Sequence, residues 1–203
     1  MIDKAGYVTR LYYQGLLSHL KADAVFQKSL RLLKQGDPTS QTENKELRKI
    51  KARVASDKET PAVVLAELAG DKSTFVRFLV AGNPGASPEI LNRLASDDSR
   101  GVRQNVANNP NAPADVLIRL AEDPFEEVQW RLAMNPSCPA SVLELLAARG
   151  GSKMKLTIVN HPNLPLQVLK ELTEDDDPHV AHTARLAFED RRAESIEHST
   201  DQP

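Results

Sequence analysis

The chain has 203 residues, 40% hydrophobic and 27% charged, with aromatics at only 4%; this is the composition of an ordinary globular protein with an aliphatic core, and it excludes fibrous and largely disordered classes. One cysteine, Cys138, excludes an internal disulfide and a cysteine cage for zinc or iron–sulfur, and no apolar run approaches the roughly 20 residues of a membrane span. The net charge of −2 hides an asymmetry, with 11 Lys+Arg against 5 Asp+Glu in residues 1–53 and 15 against 23 in residues 54–203, so a basic head sits on an acidic body and invites an acidic partner or a second copy of the chain.

The opening stretch "MIDKAGYVTR" lacks the basic-then-apolar pattern of a secretory signal, and a cytoplasmic setting is expected. Residues 1–46 read as a helical cap. Phe26, Leu30 and Leu33 fall at i, i+4, i+7, and Leu47, Ile50 and Val54 at i, i+3, i+7. Between them "QGDPTSQTEN" (35–44) reads as a loop.

From Val54 onward the chain repeats. Five segments align without a gap, beginning at Val54, Val80, Val106, Leu132 and Ile158, each 26 residues after the last. Three further columns are apolar: Leu65, Leu91, Leu117, Leu143, Leu169; Leu68, Leu94, Leu120, Leu146, Leu172; and Val76, Val102, Val128, Met154, Val180. Steps such as Val76 to Val80 and Leu65 to Leu68 are helical, so each unit holds two short helical pieces with one apolar face each. Neither piece can bury that face alone, and neighbours must stack.

Punctuation separates the pieces. The first piece is expected to open at Pro61, Pro88, Pro113, Pro139 or Pro165 as the first helical residue, with Thr60 and Ser87 as N-caps. The second follows Asp71, Asp97, Asp123 or Asp175; in "DPFEE" Asp123 would cap, Pro124 would open the helix and Glu126 would turn back to the cap. It ends at Asn-Pro: Asn83–Pro84, Asn109–Pro110 and Asn135–Pro136, with His161–Pro162 in the fifth unit. Asparagine tolerates a left-handed backbone, and the residue before proline avoids helical geometry. The fourth unit departs, with "ARGGSKMK" in place of the Asp-led turn, and Lys58 replaces the proline after Asp57. Residues 189–203 read as a polar, frayed tail.

The segment "VRQNVANNPNAPADVLIRLAEDP" resembles the leucine-rich repeat variant family, whose units carry V-R-x-x-V-A-x-N-P-x-x-P followed by L-x-x-L-A-x-D-P. The likeness runs over roughly residues 47–188. It implies an all-α, right-handed solenoid of about five units in which α-helices alternate with 3₁₀-helices; a HEAT-like solenoid of α-helix pairs is the neighbouring possibility. A described member carries a cysteine-bound iron–sulfur cluster ahead of its repeats. No cysteine precedes Cys138 here, so that cofactor does not carry over and none is expected.

Candidate chemistry is sparse. His179 and His182 are i, i+3 near Asp175, Asp176 and Asp177, a weak zinc pattern that reads better as an acid-capped helix start. Cys138 falls in a column of otherwise small or apolar residues and reads as packing. Trp130 is either a lone exposed aromatic or a groove contact. The most suggestive surface column is Lys51, Arg77, Arg103, Gln129, Lys155, Ala181. Stacked, it would make a basic stripe with steps of roughly 10 Å, able to track phosphates or, alternatively, to pair with neighbouring aspartates and turn carbonyls and hold units together. Residues 54–183 carry 12 positive and 18 negative side chains, which opposes polyanion binding.

The reading that follows is a non-enzymatic scaffold that binds another protein, with Lys51, Arg77, Arg103, Lys155 and Trp130 as candidate contacts. The alternative is a nucleic-acid binder using the basic leader and the stripe. Head-to-tail self-association is a further possibility, with Lys45, Arg48 and Lys49 docking on Asp175–Asp177 of a second copy.

Overall fold

A computed structural model describes the backbone of residues 41–200. The cap expected over residues 1–46 lies almost wholly outside the described residues. Gln41–Asn44 are helical, so the loop read over 35–44 does not include them, and the rest of that reading lies outside the described residues.

The described residues form eleven α-helices and no strand, divided between two compact units, Met1–Asn111 and 112–203. The first contains α1 (Gln41–Ser56), α2 (Ala62–Leu68), α3 (Thr74–Gly82), α4 (Pro88–Leu94) and α5 (Arg100–Asn108). The second contains α6 (Ala114–Leu120), α7 (Glu126–Ala133), α8 (Ala140–Arg149), α9 (Ser152–Ile158), α10 (Leu166–Leu172) and α11 (Pro178–Thr200). Both pieces of every described repeat are α-helical. The α/3₁₀ alternation implied by the resemblance is therefore not the geometry here, and the HEAT-like α/α pair is.

Within the first unit α3 packs between α1 and α5, and within the second α9 packs between α7 and α11. The stacking is that of a helical-repeat solenoid, and the apolar columns explain it. Val54, Val80, Val106, Leu132 and Ile158 are all buried, as are the columns headed by Leu65, Leu68 and Val76. A seven-residue helix cannot persist alone in water; each buried aliphatic side chain contributes about 1.5–3 kcal/mol before entropy, and the stacking supplies the missing stability.

Local caps differ from the sequence expectation. Pro61, Pro113, Pro139 and Pro165 occupy the N-cap rather than the first helical turn, with φ near −60° and ψ of 138–149°. Their carbonyls accept the first helical bonds, as in Leu117 N–H to Pro113 O at 3.0 Å. Proline fits because its fixed φ suits an extended residue that needs no N–H donor. Ser87 fills the same repeat position, and of the five prolines expected to open a first piece only Pro88 is a first helical residue. The Ser87 hydroxyl bonds Glu89 at 2.6 Å instead of capping, and the Thr60 hydroxyl donates to Val54 O at 2.6 Å.

Asp123 does not cap α7 either. Phe125 is the N-cap, and Asp123 Oδ1 accepts from Phe125 N–H at 3.0 Å. The helix starts two residues later than the Asp-Pro pair suggested, because the aspartate closes a turn onto the residue two ahead. At the far end α11 runs to Thr200, past Glu189, where a frayed tail was expected. Residues 179–200 contain no Gly or Pro to stop it, Arg191 Nη1 holds Leu164 O at 2.6 Å, and Arg192 lies over the Phe188 ring at 5.7 Å.

Candidate protein-interaction surface

Two ladders of polar side chains run through the repeats and use most of the residues that looked functional. The first is the Asn column. Asn83 Nδ2 donates to Ala55 O and Asp57 O, both at 2.8 Å, and its Oδ1 accepts from Gly85 N–H at 2.7 Å. Asn109 repeats this one unit on, with Nδ2 to Ala81 O at 2.8 Å and Asn83 O at 3.1 Å, and Oδ1 from Asn111 N–H at 2.9 Å. Both asparagines are buried with extended backbones, φ −76° and −77°. The column is therefore not a left-handed turn. Proline sets the extended backbone, and asparagine is needed for an amide that donates backward and accepts forward.

In the second unit Asn135 Oδ1 accepts from Ser137 N–H at 2.9 Å. His161 reproduces the amide with a ring: Nδ1 accepts from Asn163 N–H at 3.1 Å, which leaves Nε2 to donate to Asn135 O at 2.9 Å. Pro84, Pro110, Pro136 and Pro162 follow as exposed turn residues.

The second ladder contains the basic stripe. Arg77 makes a two-pronged bond to Asp97, Nε to Oδ2 at 2.6 Å and Nη2 to Oδ1 at 2.9 Å, while Nη1 reaches back to Asp71 O at 2.9 Å. The hydrogen bond it donates to Asp97, chiefly, raises the Arg77 pKa against the opposing effect of burial. Lys51 pairs with Asp71, and Lys155 with Asp175 at 2.6 Å. Arg103 Nη1 bonds Asp97 O at 2.8 Å. Asp71, Asp97 and Asp175 also close their own turns, accepting from Ser73, Ser99 and Asp177 N–H respectively. Lys51, Arg77 and Lys155 tie successive repeats together, each within one compact unit. Asp175, the centre of the acidic end considered for self-association, already holds Lys155.

The other candidates are placed as follows. Cys138 is fully buried, and burial pushes its thiol up to about 12. His179 and His182 are exposed on α11; Asp177 Oδ1 accepts from His179 N–H at 2.9 Å, and among the described residues no three His, Cys, Asp or Glu side chains gather as a metal site. No helix among the described residues is long and apolar enough to cross a membrane.

What remains is the outward face of the second helix of each repeat. On α7 the half-buried Trp130 is followed one turn later by Met134, which is 60% exposed. One repeat after Trp130 comes Leu156 on α9, and two repeats after Met134 comes Leu186 on α11, 53% exposed. In the first unit α3 shows Phe75, 60% exposed, stacked on Phe78 with ring centroids 6.4 Å apart. Phe78 stands two repeats before Trp130. Of this set only Trp130 was legible beforehand; Phe78, Trp130 and Leu156 share a repeat position, and that periodicity was the available signal.

The chain matches two family models, the "Leucine Rich Repeat Variant domain" over residues 49–109 and the "Leucine rich repeat variant" over residues 100–125. No curated protein and no solved structure matches it. The matched span covers the Asn-Pro corners at Asn83 and Asn109 and the Arg77–Asp97 tie, and over residues 49–125 the chain carries leucine-rich repeat variant repeats.

Proposed function

We propose that the chain is a non-enzymatic protein-interaction scaffold of the cytoplasm, and that it binds through the outward faces of its second helices. The observation that carries this is a division of labour. The buried amides and paired charges hold repeat to repeat, while Phe75, Met134 and Leu186 stay more than half exposed at positions that the core does not use. Isolated exposed apolar residues are ordinary, but grouped ones mark contact surfaces, and the stacked helices within each compact unit offer one. The buried, protonated Cys138 and the solvent-facing His179 and His182 support no catalytic role.

The alternative, a nucleic-acid binder tracking phosphates along the Lys/Arg column, is weakened by the aspartates that already hold Lys51, Arg77 and Lys155. Affinity capture from the native host with the full chain tests the proposal. A stoichiometric protein partner is expected, and it is lost with Met134→Asp or Leu186→Asp. Recovery of nuclease-sensitive material alone, or of nothing beyond the bead control, overturns it.

A further inference from the structure

The first unit carries a patch whose chemistry specifies a kind of partner. Helices α1, α3 and α5 lie side by side. From Arg48 to its end α1 contains no Asp or Glu, and neither α3 nor α5 contains any. The exposed positions of the same helices hold Arg48, Lys49, Arg53 and Arg100. In their midst stands the Phe75–Phe78 pair, the rings within 10° of parallel. Phe78 lies over α5 where Gly101 leaves room: a Cβ at 101 would come within 3.6 Å of the Phe78 ring. The aromatic pair is thus backed by its neighbour, with Phe75 projecting to 60% exposure.

An apolar centre bordered by charge of one sign is the anatomy of a protein contact, with an anchor at the centre and a polar rim. The rim here is positive although the whole chain is net negative. Long-range charge therefore opposes a long polyanion, whereas a short segment with a few carboxylates is drawn to the rim alone. We infer that this face of α1, α3 and α5 binds an acidic segment of a partner protein, with an aliphatic or aromatic side chain of that segment seated on Phe75 and Phe78 and its carboxylates facing Arg48, Lys49, Arg53 and Arg100. The inference rests on the interaction-scaffold reading and narrows it to one partner chemistry and one face.

A phage-displayed library of random 16-residue peptides, selected on the full chain, tests it. Enriched peptides are expected to be acidic with one or two large apolar residues. Their affinity, measured by fluorescence anisotropy, is expected to fall at least about tenfold with Phe75→Ala and again with Arg48→Glu/Lys49→Glu, since truncating a central anchor commonly costs more than 1 kcal/mol. Both variants alter exposed side chains, and circular dichroism confirms that they fold. Enriched peptides that are basic or neutral, or that ignore Phe75→Ala, overturn the acidic-partner inference and leave the scaffold reading standing. No enrichment above an unrelated helical protein, with or without binding of a mixed-sequence single-stranded oligonucleotide at low salt, overturns both.

Discussion

Gln129 and Arg149 stand at the two ends of the twenty-residue spacing that elsewhere joins a base to an aspartate. Lys51–Asp71, Arg77–Asp97 and Lys155–Asp175 are three such ties. Gln129 keeps the backward bond, Nε2 to Asp123 O at 3.1 Å, the equivalent of Arg77 to Asp71 O, and lacks a charge to reach forward. Arg149 occupies the aspartate position and turns outward to Glu122 at 3.0 Å with both side chains 64% exposed, a surface pair that contributes little. The two departures fit each other, because a base at 129 would be directed at a base at 149. Gln129→Arg alone is expected to leave stability unchanged or lower. Combined with Arg149→Asp it is expected to show a favourable coupling of at least about 0.5 kcal/mol in a urea double-mutant cycle. Additive effects would show that the two positions do not face each other.

The Arg77–Asp97 tie predicts acid sensitivity. Burial is the largest single influence on Asp97 and acts to raise its pKa, but the hydrogen bonds from Arg77 and Ser99 N–H and the charges of Arg77 and Arg103 outweigh it, and the carboxyl lies below the ordinary range. Asp175 is lowered as well, mainly by its bond to Lys155 and then by Asp177 N–H. A carboxylate whose folded pKa is below its unfolded value of about 3.9 adds stability that is fully present above that pH and is lost as pH falls through the folded pKa. Stability measured by urea unfolding is therefore expected to decline below about pH 4, with a shallower slope in Asp97→Asn than in the parent. Equal slopes would remove Asp97 from the account. At neutral pH Arg77→Lys is expected to cost about 1–2 kcal/mol, since one ammonium cannot replace both the fork to Asp97 and the bond to Asp71 O.

Much of this architecture was legible in the 26-residue period. All four apolar columns are buried as their spacing implied, because burial follows periodicity directly. The caps shifted by one or two residues because proline suits both the N-cap and the first turn, and aspartate can close a turn as readily as it caps. Asn83 and Asn109 were read as backbone devices because their reach into the preceding unit joins residues 26 and 28 apart, which no local rule registers. The ties were legible in kind, as bases pairing with neighbouring aspartates and turn carbonyls, but not in their partners: the base and its aspartate are twenty residues apart, an offset that a 26-residue alignment does not display. Phe75 had no signal, since its column reads Lys49, Phe75, Gly101, Glu127, Lys153 and His179 and only the fold shows it beside Phe78.

The Asn ladder sets a discriminating test. Asn109→Ala leaves the carbonyls of Ala81 and Asn83 and the N–H of Asn111 without these bonds in a buried site, at about 2–3 kcal/mol. Asn109→Asp is expected to be worse, because it keeps the acceptor and points a carboxylate at two carbonyls. His161→Asn, by contrast, restores the side chain that the other units use and is expected to stay within about 1 kcal/mol of the parent. Thermal unfolding of the three variants checks the order. A tolerated Asn109→Asp would mean that the Nδ2 bonds do not hold the units together.

The fourth unit's Gly150–Gly151 pair gives a control in adjacent residues. Here α8 runs on to Arg149 in place of the Asp-led turn, and Gly150 N–H bonds Leu146 O at 2.8 Å. A Cβ on Gly150 would lie 2.5 Å from Leu146 O and 2.6 Å from Met154 Cγ, whereas a Cβ on Gly151 meets nothing within 4 Å. The φ values, −78° and −72°, are open to any residue, so the difference between the two is purely one of space. The Leu146 carbonyl belongs to the helix backbone and cannot swing aside. Gly150→Ala is therefore expected to destabilise by about 2 kcal/mol or more, in the range of an overpacked core. Gly151→Ala is expected to be neutral or to stabilise by about 0.4–1 kcal/mol, because alanine restricts the unfolded chain. Melting temperatures of the two single variants measured side by side decide the matter: if Gly150→Ala melts with or above Gly151→Ala, α8 does not reach its turn by the close approach of Gly150 to Leu146 and Met154.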